Sequence, residues 1–274
     1  MPRTAVELFA GTLLVVAPHM DDEALACGGT IALHPDPRRV HVVYATDGMK
    51  SPAPVSPRHD AISPDLGELR RRESVAALRL LGVPAANLHF LDLPEAELSK
   101  HEAKLARLLL EYIRRLGPDC VLVPFRYDRH PDHLAINRVV TAAKRGGEIG
   151  AELFEYFVYH RSRLLRRRDV RAYVRPESLL RVDISSVAQR KRAALDCFAT
   201  QTTRFYEWQT RPILQAGLLD EECAAPEQFL RYDPALPGMK IFTGGAAWIR
   251  IADWLEPRLV RLKYQLTSWL MPAR

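Results

Sequence analysis

"VVAPHMDDEALACGGTIALH", residues 15–34, is the stretch that decides how this chain folds. With "TLL" before it, an apolar, β-branched run leads to Pro18, and then His19, Asp21, Asp22 and Glu23 arrive almost together. An apolar helical pattern follows at once. A buried strand that ends in an imidazole and three carboxylates, then turns into helix, reads as the first βα unit of a parallel sheet. Its polar cluster then sits at the carboxyl end of the strand, the edge where open α/β sheets bind ligands.

Working outward, the same alternation repeats. The runs "VHVVYAT" (40–46), "NLHFLDL" (87–93), "CVLVPF" (120–125) and "LFEYFVYH" (153–160) predict four more strands. Helical patterns cover 24–34, 67–82, 101–116 and 134–145. In "GELRRRESVAALRLLGV" the apolar residues Leu69, Val75, Ala76, Leu78 and Leu81 predict the buried face, and Gly82 predicts the stop. Arg70 and Glu73, three apart, read as a surface or half-buried pair on that helix. Strand, helix, strand at this spacing predicts a mostly parallel sheet covered on both faces, an α/β three-layer architecture. "SPAPVSPRHDAISPD" (51–65) is too long for a plain connection and reads as either a lid on the same edge, the preferred expectation, or a disordered insertion. From about residue 185 the pattern predicts helices and loops added to the same domain, so that residues 1–274 form one domain.

Composition sets the class. At 274 residues with 47% hydrophobic and 26% charged content, the chain can bury a full core and is not of disordered type. Its four cysteines, Cys27, Cys120, Cys197 and Cys223, form no CxxC pair, which predicts a reducing compartment. With no signal-peptide pattern and no run of the ~18 apolar residues a spanning helix needs, a cytoplasmic location is expected. The net charge of +6 is concentrated in "HRSRLLRRRDVRAYVRPE" (160–177) and in "EPRLVRLKYQLTSWLMPAR" (256–274). Such surfaces attract phosphates, anionic membranes or nucleic acid. No nucleic-acid motif is present and no aromatic residues interleave with the basic run, so nucleic acid is not expected as a partner. The tail mixes Trp, Leu and Arg as an interfacial helix does, although a C-terminal helix docked on its own domain is the preferred reading.

A second polar cluster, "PFRYDRHPDHLAIN" (124–137), follows "CVLVPF" as the first follows "LLVVAP". Either alone has an ordinary explanation. Asp at a helix N-terminus is favourable in any case, and Pro suits the first helical position. Together they bring His19, Asp21, Asp22, His130, Asp132 and His133 to one rim. Two imidazoles and one carboxylate form a common zinc-binding set with open positions for water and substrate. His19 and Asp22, three apart at a helix start, can face one centre, and His133 can complete the set. Asp21 then lies beside the metal as a general base, and iron suits the same ligands in a reducing cytoplasm. Asp132 is expected to hydrogen-bond an imidazole, that of His130, and Glu23 to cap the helix or bond inside the site. "CGGT" (27–30) lies within the helical pattern, so its glycines predict close helix-to-sheet packing rather than a dinucleotide loop, and Cys27 is expected to be a buried structural thiol.

"APHMDDE" resembles the AHPDDE or PHPDDE signature of the PIG-L/LmbE-like zinc-dependent de-N-acetylases, whose fold is Rossmann-like. "HPDH" with Asp128 before it is similar to that family's second motif. The likeness continues through "TDG" (46–48), the Arg70-x-x-Glu73 helix ending in "LLGV", and "KRAALDCFATQ" (191–201). It spans residues 12–205, with Met20 standing where the family has proline and Thr200 where it has serine. The resemblance implies zinc held by His19, Asp22 and His133, Asp21 as general base, His130 as the acid that stabilises the oxyanion, and a substrate-facing Arg70. It also implies an N-acetylated amino sugar or its conjugate as substrate, with acetate and an amine as products. The arginine-rich stretch suits a phosphorylated, nucleotide-linked or lipid-linked sugar. Two other classes compete. A two-His-one-carboxylate set also serves non-haem iron oxygenases, usually on a β-sandwich, and a basic binding protein could hold the metal structurally.

Overall fold

The computed structural model describes residues 5–52, 63–161, 169–236, 238–243, 248–249, 251, 254–255 and 258–259. The expected lid at 51–65 and the Arg166–Arg168 run fall largely or wholly outside them.

After a short helix α1 (Ala5–Phe9) come β1 (Leu13–Ala17), α2 (Asp22–Ala32), β2 (Val40–Thr46), α3 (Leu66–Leu80), β3 (Leu88–Leu93), α4 (Glu102–Leu116), β4 (Cys120–Pro124), α5 (Pro131–Arg145) and β5 (Glu152–Tyr156). The chain continues through β6 (Leu179–Val182), α6 (Ala188–Asp196), α7 (Ala199–Thr202), α8 (Ala216–Ala224) and β7 (Glu227–Arg231). The seven strands lie in the order β3-β2-β1-β4-β5-β7-β6. The first five pair in parallel, and β7 pairs antiparallel with both β5 and β6.

All five predicted strands form, and β1 and β4 at the centre of the sheet are apolar and buried on both faces. In β1, Leu13, Val15 and Ala17 pack into one core with Ala77, Leu78, Ala194 and Leu195 of α3 and α6. Leu14 and Val16 point the other way, into a core with Leu105, Leu109 and Ile136 of α4 and α5. Burying each such side chain contributes roughly 1.5–3 kcal/mol before chain entropy is counted. A third, smaller cluster joins Phe125, Phe157, Leu230, Phe242 and Ile249 beyond the end of β4.

Three expectations need correction. The region after residue 185 is not only helix and loop, since β7 extends the sheet there and β6 lies just before it. Both are short, and their Arg181, Glu227 and Arg231 break an apolar pattern. The buried face of α3 is rotated from the apolar one: it carries Leu66, Arg70, Glu73, Ser74, Ala77 and Leu78, while Ala76 is exposed. Gly82 does follow the helix end, with φ +92°, a conformation glycine adopts without strain. Finally, the glycines of α2 serve close packing against α6 and the loop before it as well as against the sheet, where a Cβ on Gly29 would lie 3.1 Å from Glu227 Oε1 of β7. A Cβ on Gly29 would lie 2.3 Å from Ile184 Cγ2, and one on Gly28 3.2 Å from Lys191 Cγ.

In the order 3-2-1-4-5, the chain winds one way from β1 and the other way from β4. The crevice between the carboxyl ends of β1 and β4 is therefore the switch point of the sheet. His19 follows β1 and His133 follows β4.

Candidate metal centre

Three side-chain atoms meet at that crevice. His19 Nδ1 lies 3.1 Å from Asp22 Oδ2, His133 Nε2 lies 3.3 Å from the same oxygen, and the two nitrogens are 3.3 Å apart. Zinc bonds of about 2.0–2.1 Å in tetrahedral geometry give ligand edges of about 3.3 Å, so this triangle has the size of one tetrahedral face. The donors are those zinc takes, two imidazole nitrogens and a carboxylate oxygen, and they are nearly closed to solvent. One nitrogen from each of His19, His130 and His133 also lies within 4.8 Å of the others. Asp22 makes the tighter triangle, because His130 spends its Nδ1 on the backbone N–H of Asp132 at 3.3 Å.

Each imidazole is held from behind. His19 Nε2 is 3.2 Å from Asp132 Oδ2, and His133 Nδ1 is 3.2 Å from Asp128 Oδ2. The expected pairing of Asp132 with His130 is thus corrected to one with His19. The cause is visible in the neighbouring loop, where the backbone N–H groups of Ala96 (2.6 Å) and Leu98 (3.0 Å) donate to Asp132 and turn its carboxylate toward His19. Burial alone would lower both imidazole pKa values. Asp132 and Asp22 instead raise His19 to about 9, and Asp128 and Asp22 raise His133 to about 10. Burial would raise Asp22, yet His133 and His19 hold it well below the usual carboxylate range.

Asp21 stands next to this triangle in a backbone conformation that favours glycine, φ 145°. Its N–H donates to Glu23 Oε2 at 3.1 Å, and Tyr44 Oη donates to Glu23 Oε1 at 2.9 Å. Glu23 therefore bonds inside the site, as one of its two expected roles had it, and clamps the strained peptide. Burial pushes Asp21 up to about 7, with Arg70 drawing it down and Asp22 adding to the rise. Burial and the positive His19 and His133 push His130 down to about 3. With Nδ1 accepting from Asp132, the neutral ring carries its proton on Nε2.

Arg70 departs most from expectation. It is 1% exposed and does not pair with Glu73. Its guanidinium donates to the carbonyl oxygens of Met20 at 3.0 Å and Gly48 at 3.4 Å, and lies 3.8 Å from Asp21 and 3.5 Å from Glu95. Glu73 instead accepts from the backbone N–H and hydroxyl of Thr200, at 2.9 and 2.7 Å. Sequence reasoning missed Glu95, whose Oε1 is 3.9 Å from His19 Nε2. The signal was available: Glu95 follows β3, so it too is an acid at a strand's carboxyl end. Tyr159 was also missed, with its ring 5.4 Å from that of His133. Cys27 is buried, its thiol pushed well above the usual range by burial, as a structural cysteine should be.

Residues 14–144 match the family model PIG-L, described as GlcNAc-PI de-N-acetylase. Over that stretch the chain is similar to the PIG-L/LmbE-like family. Its likeness to a 2'-N-acetylparomamine deacetylase of Streptomyces fradiae is 29% identity over 209 residues, 70% of this chain and 74% of that one. A 1D-myo-inositol 2-acetamido-2-deoxy-alpha-D-glucopyranoside deacetylase of a Mycobacterium species is 32% identical over 203 residues, covering 64% of this chain and 63% of the relative. The solved N,N'-diacetylchitobiose deacetylase of Pyrococcus horikoshii superposes with a TM-score of 0.60 at 19% identity, over 85% of this chain and 88% of that one. The last is a likeness of fold. It places this chain on an α/β architecture, not on the β-sandwich usual for the iron oxygenases.

Proposed function

We propose that the chain is a zinc-dependent hydrolase that removes the acetyl group from an N-acetylated amino sugar of N-acetylglucosamine type, free or conjugated. Water and the amide give acetate and a free amine. The observation that carries this is the donor triangle of His19, Asp22 and His133 with a further, unshared carboxylate, Asp21, beside it at the switch point of the sheet. The PIG-L match and the deacetylase relatives support the same reaction.

In this reading His19 Nδ1, Asp22 Oδ2 and His133 Nε2 are the ligand atoms. Bound there, zinc supplies a Lewis acid and brings the pKa of a water from 15.7 to about 7. Asp21 takes the proton of the attacking water, a task suited to a carboxylate whose burial has raised its pKa to about 7. The Nε2–H of His130 donates to the oxygen that gains charge as the carbonyl becomes tetrahedral. Asp132 and Asp128 fix the two ligand imidazoles. Arg70, enclosed behind Asp21, acts as a positioning residue and not as a substrate contact. Iron fits the same set in a reducing compartment, to which we assign the protein on its four free cysteines.

Acetate release from a panel of N-acetylglucosamine conjugates, comparing zinc-loaded protein with Asp21→Asn, tests this. Turnover should fall about 10²- to 10⁴-fold in the variant while its zinc content stays the same. Stoichiometric zinc with no release from any conjugate would overturn the deacetylase reading.

A further inference from the structure

The candidate metal centre has a closed side and an open one. His19, Asp22 and His133 are buried, and Asp21 and Arg70 are enclosed with them. His130 differs, its side chain 28% exposed, and beside it stands Tyr159, 37% exposed. The Tyr159 ring lies 6.1 Å from the His130 ring with 21° between their planes, and 5.4 Å from the His133 ring. The two nearly parallel rings make an aromatic wall along the open side. A single exposed tyrosine is ordinary on a protein surface. This one is set apart by its contact with two imidazoles of the centre.

The fold fixes that wall. Tyr159 follows β5, which pairs in parallel with β4, so it stands at the same rim of the sheet as His130. Its backbone N–H donates to Asp128 Oδ2 at 3.2 Å, the oxygen that also lies 3.2 Å from His133 Nδ1. One carboxylate therefore holds both a ligand imidazole and the residue that carries the wall. Phe157, two positions earlier, is buried with its ring 4.6 Å from that of Phe125, which anchors the segment in the third core. A tyrosine ring has only two side-chain torsions to order, so it offers a rigid surface at low entropic cost.

We infer that the ring of Tyr159 is the surface on which the sugar ring of the substrate stacks. The ligand class rests on the acetamido-sugar reading above. In that reading the carbonyl oxygen meets His130 and the attacking water comes from the side of Asp21, so the acetyl end points into the closed side. The amine and its sugar then extend toward the open side, along Tyr159. A pyranose carries hydroxyls around its rim and C–H groups on its faces. A flat apolar ring covers one such face while the hydroxyls stay in water or meet a few polar groups. An acyclic acetamide has no such face, so Tyr159 selects cyclic acetamido sugars.

Calorimetric titration of the zinc-loaded full chain with methyl glucosaminide, an amine product, tests this alongside acetate release from methyl N-acetylglucosaminide. Tyr159→Phe keeps the flat ring and should bind like the wild type. Tyr159→Ala should bind about tenfold more weakly, with the loss in turnover carried by KM rather than kcat. Tyr159→Leu fills the space without a flat face and should weaken binding similarly, which keeps the test sound if the alanine variant folds poorly. Affinity unmoved in the alanine and leucine variants would overturn the inference. So would a phenylalanine variant as weak as the alanine one, because the hydroxyl would then be the contact, or a wild type that binds neither sugar. Binding that depends on Tyr159 without acetate release from any conjugate would support the stacking surface and overturn the deacetylase reading. Acetate release with affinity unmoved in the variants would do the reverse.

Discussion

Helix α2 has a buried charge cluster at its N-terminus and another near its C-terminal half, and the two behave differently. Around Gly29 and Thr30, the Glu227 carboxylate accepts from both backbone N–H groups at 2.7 Å, from the Thr30 hydroxyl at 2.6 Å and from Lys191 Nζ at 2.8 Å. Every oxygen has its donors, the charges balance, and no side chain is left to do chemistry. At the other end, Asp21, Asp22 and Glu23 crowd together with one peptide strained, and Asp22 and the two imidazoles present lone pairs to a common point. A saturated ion cluster fixes a helix in place. A cluster with charge left over and donor atoms converging on one point is built for a ligand.

The two ends can be set against each other experimentally. Glu227→Gln should have the largest effect on folding, about 3–5 kcal/mol, because it leaves Lys191 buried without its counter-charge. Denaturant unfolding would measure that loss, and zinc affinity per folded molecule should not change. A fall in zinc affinity without loss of stability would break the comparison. Asp132→Asn should act at the opposite end only, weakening zinc binding about 10- to 100-fold through His19, as competition with a chelator would read. If His130 were its working partner, zinc affinity would hold and only turnover would fall. Tyr44→Phe removes one hydrogen bond to Glu23 and should cost about 0.5–1.5 kcal/mol in stability, with a modest loss of turnover as Asp21 loosens.

Much of this was legible before the fold was seen. The parallel strands announced themselves because apolar and β-branched residues dominate them, without a break in β1 and β4, and the polar clusters after those two marked the rim of the sheet. What escaped did so for physical reasons. β6 and β7 lie at the antiparallel end, where charged residues interrupt the pattern. Arg70 and Glu73 looked like a surface pair because charge normally avoids the core. Here carbonyl oxygens of the loops after β1 and β2 occupy Arg70, and Thr200 occupies Glu73. The partner of Asp132 was beyond sequence reasoning, since backbone donors at Ala96 and Leu98 in a separate loop decide it.

The backbone of Asp21 has an evolutionary consequence. Only glycine adopts φ 145° without strain, and glycine has no carboxylate to offer. Strain of this kind costs about 1–3 kcal/mol, and the burial that raises the pKa of Asp21 adds a further penalty in the same place. Asp21→Gly should therefore melt at a higher temperature than the wild type while being inactive. A descendant released from selection for catalysis would gain stability by drifting to glycine here, so the identity of this one residue separates working relatives from retired ones.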